Sequence, residues 1–279
     1  MNLLVTLNRA NVPILQVMLF SLLENNPDDC FDLYLLHREL NAQDLAELTG
    51  TPYRDRLRLH PFLVADEMLE GAQISSRYPR EIYYRLFAPQ ILPDSVGRIL
   101  YLDPDTIIRK PLRPLYDTDL GSRWFAGASH VGTFLQIFND IRLKTFDGTY
   151  INSGVLLMDL DAMREQQDLP QVFQFIREHS GKMILPDQDV MNALYPDRIL
   201  PVDALLYNMT DRILAFCSDN QDGGGIDLEW VRKNTVIIHY CGRNKPWKKN
   251  YIGKLGVFYQ QYRAELEQFR QSRPDGWTQ

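Results

Sequence analysis

Two aspartates, Asp103 and Asp105, interrupt an apolar stretch in the segment ILYLDPDTIIRKPL, residues 99–112. The run Ile99–Leu102 predicts a buried strand, and both acidic side chains follow directly at its carboxyl end. Side chains alternate along an extended chain, so the two carboxylates are expected to point the same way. Ionised neighbours repel each other, and burying them without a cation is costly. The pair therefore predicts a divalent metal site; the alternative is an ordinary Asp-Pro turn at Pro104.

A second pattern of a strand followed by a ligand lies in VIIHYCGRNKPWKK, residues 236–249. A buried strand delivers His239 at its carboxyl end, Gly242 permits a tight bend, and Lys245 carries a charge on the following loop. Taken singly, a histidine at a strand end is more often a hydrogen-bonded residue, and a lysine is more often solvated. Together with two carboxylates, the imidazole forms a ligand set that suits Mn²⁺, with Mg²⁺ as the alternative. The lysine would add positive charge for a phosphate or diphosphate.

The elements that must position these residues alternate between strands and helices. The chain has 279 residues, of which 45% are hydrophobic and 24% charged, so it can bury a substantial core. We predict one α/β domain over residues 1–279, with a mostly parallel sheet covered on both faces by helices. The predicted strands are Leu3–Leu7, Phe31–His37, Leu57–Pro61, Arg98–Leu102, Phe125–Ser129, Gly154–Asp159 and Val236–Tyr240. The predicted helices are Val12–Leu23, Asn41–Leu48, 78–92, Gln171–His179, Gln188–Leu194 and Tyr251–Phe269, and Ser218–Gly225 is predicted to be a flexible loop.

Composition excludes several classes of protein. A net charge of −6 argues against a nucleic-acid partner. No run of about 18 apolar residues is present, which predicts no transmembrane segment. The three cysteines form no CxxC pair and the amino terminus lacks the pattern of a signal peptide, so we expect a cytoplasmic protein. The first strand-to-helix turn, TLNRANVP, contains no glycine, which argues against a dinucleotide-binding GxGxxG fold.

Six segments of the chain, in order and at similar spacings, resemble family 8 glycosyltransferases. They are NNPDDCFDLYLLH, YYRLFAPQILP, ILYLDPDTIIRKPL, YINSGVLLMDL, LPDQDVMNALY and HYCGRNKPWKK. This family of retaining sugar transferases includes the bacterial lipooligosaccharide galactosyltransferases. The resemblance implies a GT-A fold, a UDP-sugar donor and Mn²⁺ bridging the protein and the diphosphate. It also implies a glycan or lipid-linked saccharide as the acceptor.

The resemblance assigns site residues position by position. It implies Asp103, Asp105 and His239 as metal ligands, and Asn152, Asp187 and Gln188 as residues that line the sugar. The positions that it places at the donor or its cation are Thr6, Asn8, Arg85, Tyr101, Leu102, Asp103, Pro104, Asp105, Asn152, His239, Gly242 and Lys245.

For the chemistry, the resemblance implies retention of the anomeric configuration, with Gln188 on the face of the sugar opposite the leaving group. An amide is a poor nucleophile, so its carbonyl dipole would stabilise an oxocarbenium-like centre, and Asp189 is the alternative as a covalent nucleophile. Simpler interpretations stay open. Arg85 can pair with an acidic neighbour on its helix, Asn152 can bind backbone groups, Asp187 can cap the helix starting at Gln188, and Asp189 can cap or solvate that helix.

Two departures from the family pattern concern the donor. Where the family commonly has acidic residues and an aromatic after the first strand, this chain has Asn8, which can bind a ribose hydroxyl, and Asn11, which leaves stacking on the base an open question. His130 stands where the galactosyltransferases carry an aspartate that binds the sugar. Galactose and glucose therefore both remain candidates for the transferred hexose.

The sequence thus predicts a metal-dependent retaining hexosyltransferase, with residues 244–270 forming a carboxyl-terminal lid and closing helix. Lys248 and Lys249 would add positive potential at the mouth of the diphosphate site. Aromatic residues of the closing helix are expected to pack on the core, with peripheral membrane contact as the alternative. The competing functions are a catalytically inactive sugar-nucleotide-binding protein and a sugar nucleotidyltransferase. The latter usually carries a glycine-rich and basic amino-terminal loop, which TLNRANVP is not.

Overall fold

The structure is a computed structural model that describes residues 1–49, 54–65, 80–129, 150–179, 183–218 and 225–272. The strands in these ranges are β1 (Asn2–Leu7), β2 (Phe31–His37), β3 (Leu57–Leu63), β4 (Arg98–Leu102), β5 (Thr106–Ile108), β6 (Phe125–Ser129), β7 (Ile151–Asp159), β8 (Ile199–Val202) and β9 (Ile237–His239). The α-helices are α1 (Val12–Glu24), α2 (Ala42–Thr49), α3 (Ala88–Ile91), α4 (Arg113–Tyr116), α5 (Leu160–Gln166), α6 (Leu169–His179), α7 (Pro186–Leu194), α8 (Ala204–Tyr207), α9 (Asp211–Ser218), α10 (Leu228–Asn234) and α11 (Gly256–Ser272). Short 3-10 helices span Arg9–Asn11, Arg54–Arg56, Arg80–Phe87 and Pro196–Arg198.

Within the described ranges, seven strands form the main sheet in the order β3-β2-β1-β4-β7-β6-β8. Strands β1 to β4 run parallel, while β7 is antiparallel to both of its neighbours, β4 and β6. The carboxyl ends of β1 and β4 therefore share an edge with the amino end of β7. Ligands of open α/β sheets bind outside the carboxyl ends of the strands, so this edge is where a site is expected.

The central strands are almost continuously apolar because both faces of the sheet are covered. On one face, Leu3 and Leu100 pack with Leu15, Leu19 and other apolar residues of α1. The other face packs against the 3-10 helix Arg80–Phe87, α5, α6 and α7. A mostly parallel mixed sheet flanked by helices is thus confirmed.

The strand that carries His239 does not belong to the main sheet, which corrects the prediction for Val236–Tyr240. Strand β9 is shorter than predicted and pairs antiparallel with β5, with Thr106 opposite His239. Strand β5 was not predicted, because three residues are too few to show a period. This two-stranded ribbon places His239 beside Asp105, because β5 begins at the residue directly after Asp105.

The helix predicted over 78–92 is a 3-10 helix followed by the short α3 in the part of it that the structure describes. Pro89 enters only in the first turn of α3, where a proline costs no hydrogen bond. The closing helix begins at Gly256 rather than Tyr251, and the aromatic residues Phe258, Tyr259 and Tyr262 pack against Ile107 and Ile238 of the ribbon.

Two earlier predictions lie largely outside the described residues: most of the loop Ser218–Gly225 and the residue His130. Among the helices that the structure describes, none combines the length and the apolar character needed to cross a membrane.

Candidate active site

The backbone at the end of β4 makes a turn that presents both aspartates to one cleft. Thr106 Oγ1 donates to the carbonyl of Asp103 at 2.9 Å, and the Asp103 N–H donates to Gly154 O at 2.7 Å. The Asp-Pro turn and the paired carboxylates are therefore two aspects of one structure rather than alternatives. The turn lies at the edge where β1 and β4 end and β7 begins.

The three side chains predicted as metal ligands meet in space. Nε2 of His239 lies 3.5 Å from Oδ2 of Asp103 and 3.3 Å from Oδ1 of Asp105. One ligand atom from each residue falls within 4.8 Å of the others. Hard carboxylate oxygens combined with an imidazole suit Mn²⁺ or Mg²⁺.

Gly154 keeps the space between two of these ligands clear. A Cβ atom at this position would clash with Cε1 of His239 and would lie 2.6 Å from Oδ2 of Asp103. The missing side chain lets the amino end of β7 approach the cluster closely. The residues present therefore fit a bound divalent cation both in donor chemistry and in space.

Each carboxylate of the cluster already has a basic partner, which corrects the expectation that the pair simply repels until a metal arrives. Arg85 Nη2 lies 3.1 Å from Oδ1 of Asp103, and Lys245 Nζ pairs with Oδ2 of Asp105. Burial would raise the pKa of Asp103, but Arg85 and His239 outweigh it and hold the pKa far below its ordinary value. Burial also opposes ionisation of Asp105, whose pKa is nevertheless lowered by Lys245 and His239.

The same carboxylates control the imidazole. Burial would lower the pKa of His239, but Asp105 and Asp103 raise it to about 10. The imidazole is only 2% exposed, so its charge is compensated inside the protein. A divalent cation bound here would thus replace positive charge that the protein's own side chains supply to the two carboxylates.

Arg85 is a buried cation beneath the cluster. It is 4% exposed, its guanidinium carbon lies 4.0 Å from the ring centre of Tyr101, and its Nη1 donates to Ser153 O at 2.6 Å. Its Nε lies 3.2 Å from Oδ2 of Asp187. Burial would lower the pKa of Arg85, but Tyr101, Asp103 and Asp187 outweigh it and raise the pKa. The acids it pairs with come from β4 and α7, not from its own helix.

Helix α7 brings the predicted sugar-lining residues to the same edge. It begins at Pro186 after Leu185, so Asp187 lies in the first turn and does not cap the helix, which corrects that alternative. The Asp187 carboxylate accepts from Ser153 Oγ at 2.8 Å, and burial raises its pKa against the opposing effect of Arg85. Gln188 Oε1 accepts from Asn152 Nδ2 at 3.2 Å.

Asp189 faces the protein interior. It is 0% exposed, and its carboxylate accepts from the backbone N–H groups of Ile184 and Leu185 and from the hydroxyl of Tyr150, at 2.8, 3.2 and 2.5 Å. The carboxylate is therefore not solvated, and the N-cap of α7 is Leu185, which corrects the interpretation that Asp189 caps or solvates the helix; Asp189 instead binds the backbone just before it.

A cavity of about 250 Å³ opens beside the cluster. Its lining residues are Thr6, Asn8, Asn11, Ile14, Glu81, Ile82, Arg85, Asp103, Pro104, Asp105, Lys245 and Trp247. Asn8 is one of these residues, and its Oδ1 is buried without a hydrogen-bond partner among the described residues. Thr6 Oγ1 and the Tyr101 hydroxyl lie 3.1 Å apart at the floor.

Three predicted donor-binding positions contribute differently. Tyr101 and Leu102 are 0% exposed, so Leu102 supports the turn from inside the core. Tyr101 instead donates from its hydroxyl to Asp103 Oδ1 at 2.6 Å. Gly242 follows β9 with a φ of 86°, a left-handed conformation that favours glycine, and it is not among the cavity-lining residues.

Two residues that sequence reasoning missed are Trp247 and Asn208. Trp247 lines the cavity and packs on Tyr259 with 5.4 Å between ring centres. Asn208 is 0% exposed, and its Oδ1 lies 2.9 Å from Nδ1 of His239. A lone asparagine after a short apolar segment, Ala204–Tyr207, carries no spacing signal, so nothing in the sequence pointed to it.

Comparison with known proteins identifies the family. The model of glycosyl transferase family 8 matches residues 2–251. General stress protein A of Bacillus subtilis is 27% identical over 221 residues, which is 78% of this chain and 77% of that protein. A lipopolysaccharide 1,2-glucosyltransferase of Escherichia coli is 28% identical over 240 residues, 83% of this chain and 68% of the relative.

Among solved structures, the galactosyltransferase LgtC in complex with donor and acceptor sugar analogues superposes with a TM-score of 0.79 at 23% identity, covering 97% of this chain and 99% of LgtC. At this identity the similarity shows the fold, which is of the GT-A type.

Proposed function

Since the chain belongs to glycosyl transferase family 8, we propose that it is a metal-dependent, retaining hexosyltransferase. It transfers galactose or glucose from a UDP-sugar to a glycan or lipid-linked saccharide. The observation that carries this proposal is the cluster of Asp103, Asp105 and His239, whose two aspartates line the cavity beside it. Asn8 lines the same cavity, and its side-chain amide supports binding of a nucleoside hydroxyl or N–H group.

In this proposal the cation is held by the two aspartates and the histidine. A bound divalent cation supplies Lewis-acid stabilisation of the departing diphosphate. Lys245 leaves Asp105 and turns its ammonium toward the same negative charge. Arg85 stays buried and keeps Asp103 ionised, because its guanidinium contacts the carboxylate directly.

The transfer itself breaks the anomeric C–O bond, and the bonding electrons leave with UDP. The acceptor oxygen attacks from the leaving-group face, and its proton passes to an oxygen of the diphosphate, so the anomeric configuration is retained. Gln188 stabilises the oxocarbenium-like centre from the opposite face. Asp187 and Asn152 orient that amide and the sugar from α7 and β7.

The donor hexose is proposed from the relatives and from the sequence. The named Escherichia coli relative is a glucosyltransferase, and His130 replaces the aspartate with which galactosyltransferases bind their sugar. These two observations favour glucose over galactose. A cytoplasmic location, with the acceptor presented at the membrane surface, is part of the same proposal.

The segment 244–251 is proposed to act as a lid, and residues 244–270 as the carboxyl-terminal part of a single domain. The segment is held by the packing of Trp247 on Tyr259 and by hydrogen bonds: Gln260 Nε2 donates to Pro246 O at 2.6 Å, and Ile252 N donates to Asn244 Oδ1 at 3.0 Å. Gly242 and Gly253 flank it and provide backbone freedom.

The deciding experiment measures UDP release from UDP-glucose and UDP-galactose with Mn²⁺, with Mg²⁺ and with a chelator. Release that requires the cation supports the proposal. Binding of UDP without any turnover, across a panel of saccharide acceptors, would favour the inactive binding protein. Formation of a UDP-sugar from UTP and a sugar phosphate would favour a nucleotidyltransferase.

A further inference from the structure

A row of three side-chain amides, those of Asn208, Asn152 and Gln188, leads away from His239 inside the protein. Nδ1 of His239 lies 2.9 Å from Asn208 Oδ1, and Asn208 Nδ2 donates to Asn152 Oδ1 at 3.0 Å. Asn152 Nδ2 then donates to Gln188 Oε1 at 3.2 Å. The row thus begins at a candidate cation ligand and ends at the residue proposed to face the anomeric carbon.

Two backbone N–H groups fix the direction in which this row donates. Gly154 N donates to Asn152 Oδ1 at 3.0 Å, and Ser153 N donates to Gln188 Oε1 at 3.3 Å. A backbone N–H can only donate, so the atoms facing these two groups must be oxygens. The Asn152 and Gln188 amides are therefore oriented by β7 itself, whatever ligand is bound.

The direction in which the amides donate determines which ring nitrogen of His239 carries a proton. Because Asn152 offers its oxygen to Asn208, Asn208 must offer its NH₂ group there and its oxygen to His239. An oxygen facing Nδ1 requires a proton on Nδ1. The other ring nitrogen, Nε2, faces Asp103 and Asp105 and is the one available to a cation.

We propose that Asn208 is a positioning residue that holds His239 as the Nδ1–H tautomer, so that Nε2 binds the divalent cation, and that links this ligand to the amide of Gln188. The inference rests on the proposed function and deepens it. Asn208 touches neither donor nor cation in this assignment. It acts through His239 on one side and through Asn152 on the other.

Two substitutions of Asn208 test separately its contact with His239 and its contact with Asn152. Asn208→Asp keeps an acceptor for the Nδ1 proton but loses the donor to Asn152, and its carboxylate faces the oxygen that Gly154 holds in place. Mn²⁺ affinity should stay within about threefold of wild type or tighten, while kcat falls about 10- to 100-fold, the usual range for the partner of a metal ligand. Asn208→Ala removes both contacts, so both Mn²⁺ affinity and kcat should fall about 10- to 100-fold.

Mn²⁺ binding is measured without any sugar nucleotide, by electron paramagnetic resonance of the free ion, so this readout does not depend on turnover. Asn26→Asp is the matched control: Asn26 is 1% exposed, accepts from Leu112 N and donates to Leu22 O, far from the cluster. It should lower stability without changing Mn²⁺ affinity. Equal Mn²⁺ affinity in Asn208→Ala and wild type, or an unchanged kcat in Asn208→Asp, would overturn the inference.

The wild-type protein provides a test that no folding defect can obscure. The chain has five histidines, and ¹⁵N-labelled imidazoles report which ring nitrogen carries a proton. With Mg²⁺ as a diamagnetic probe, His239 should show a proton on Nδ1 and none on Nε2, whereas the opposite tautomer would contradict the proposal. A wild-type protein that binds no cation and releases no UDP would instead refute the proposed function itself.

Discussion

The ammonium group of Lys245 forms an ion pair with Oδ2 of Asp105, one of the three candidate cation ligands. The same ammonium donates to the carbonyl of Tyr240 at 2.8 Å. The residue predicted to contact the diphosphate therefore lies against a candidate cation ligand. In the proposed function, the charge that would stabilise the departing diphosphate thus already lies beside a candidate cation ligand.

This contact predicts opposite effects of Lys245→Met on binding and on turnover. Mn²⁺ affinity without nucleotide should be unchanged or higher, because the ammonium no longer competes for Asp105. The kcat for sugar transfer should fall by about 10²–10³-fold, since one group that stabilises the leaving charge is lost. Electron paramagnetic resonance and steady-state kinetics measure the two effects. A kcat within twofold of wild type would contradict the assigned role.

Asp105→Asn should lower UDP-sugar turnover by at least about 10²–10³-fold. The free energy of unfolding should also fall, by about 1–3 kcal/mol, because Lys245 loses its ionised partner in a largely buried site. Urea denaturation and UDP release measure the two effects. Asp29→Asn, which breaks the ion pair to Arg113, should reduce stability alone. Wild-type turnover by Asp105→Asn would remove this residue from the cation site.

Gly154→Ala should weaken Mn²⁺ binding by about 10- to 100-fold while the protein stays folded. The added methyl group clashes with His239 and crowds Asp103, but no left-handed backbone is involved at this position. Isothermal titration with Mn²⁺ and circular dichroism measure affinity and fold. The control is Gly127→Ala, whose Cβ would lie 2.7 Å from a flexible methyl group of Ile151, away from the cluster. Equal affinity in wild type and Gly154→Ala would contradict the packing argument.

Retention without a covalent intermediate predicts different results for Gln188 and Asp189. Gln188→Ala should lose most of its kcat. Asp189→Asn should mainly lose stability, about 1–3 kcal/mol, because its carboxylate satisfies two backbone N–H groups and the Tyr150 hydroxyl. Nuclear magnetic resonance of the product anomer and thermal melting provide the measurements. A loss of about 10⁴-fold in Asp189→Asn with Gln188→Ala near full activity would favour a covalent route. An inverted product would refute retention.

His37 predicts a dependence of stability on pH. Burial lowers its pKa from 6.5, against the opposing effect of Asp44, and its Nδ1 accepts from Leu40 N at 3.3 Å. The folded protein therefore binds fewer protons here than the unfolded chain. Neutral His37 therefore adds its full contribution to the free energy of unfolding at pH values above the pKa of the unfolded chain. This contribution is lost as the pH falls below that pKa, by at most about 1.4 kcal/mol per pH unit.

Urea denaturation at pH 7.5 and at pH 5.5, compared between wild type and His37→Asn, measures this effect. Asparagine keeps an acceptor for the Leu40 N–H but does not titrate, so the variant should lose less stability between the two pH values. An identical loss in both proteins would exclude His37 as the source.

The amino-acid sequence determined the features that depend on local pattern. Apolar runs ending in Asp103 and His239 identified the strand ends, because burial of a strand leaves a clear signal in consecutive residues. The alternation of strands and helices indicated the covered, mostly parallel sheet. The positions of Asp103, Asp105 and His239 beside one another followed from these two observations and from the resemblance to the family.

Only the tertiary structure decided how the charges are balanced and how the ligands are held. Four residues reach the cluster from separate parts of the chain. Arg85 comes from the 3-10 helix before α3 and Lys245 from the segment after β9. Gly154 lies in β7, and Asn208 follows α8. The resemblance to the family had placed Arg85 and Lys245 near the donor, but their pairing with Asp103 and Asp105 joins residues far apart in the chain. A single glycine or asparagine, such as Gly154 or Asn208, has no period that a sequence could reveal. Strand β5 is likewise too short to be predicted from its sequence pattern, yet its pairing with β9 places His239 beside Asp105. Long-range packing, rather than local propensity, therefore assembles the site.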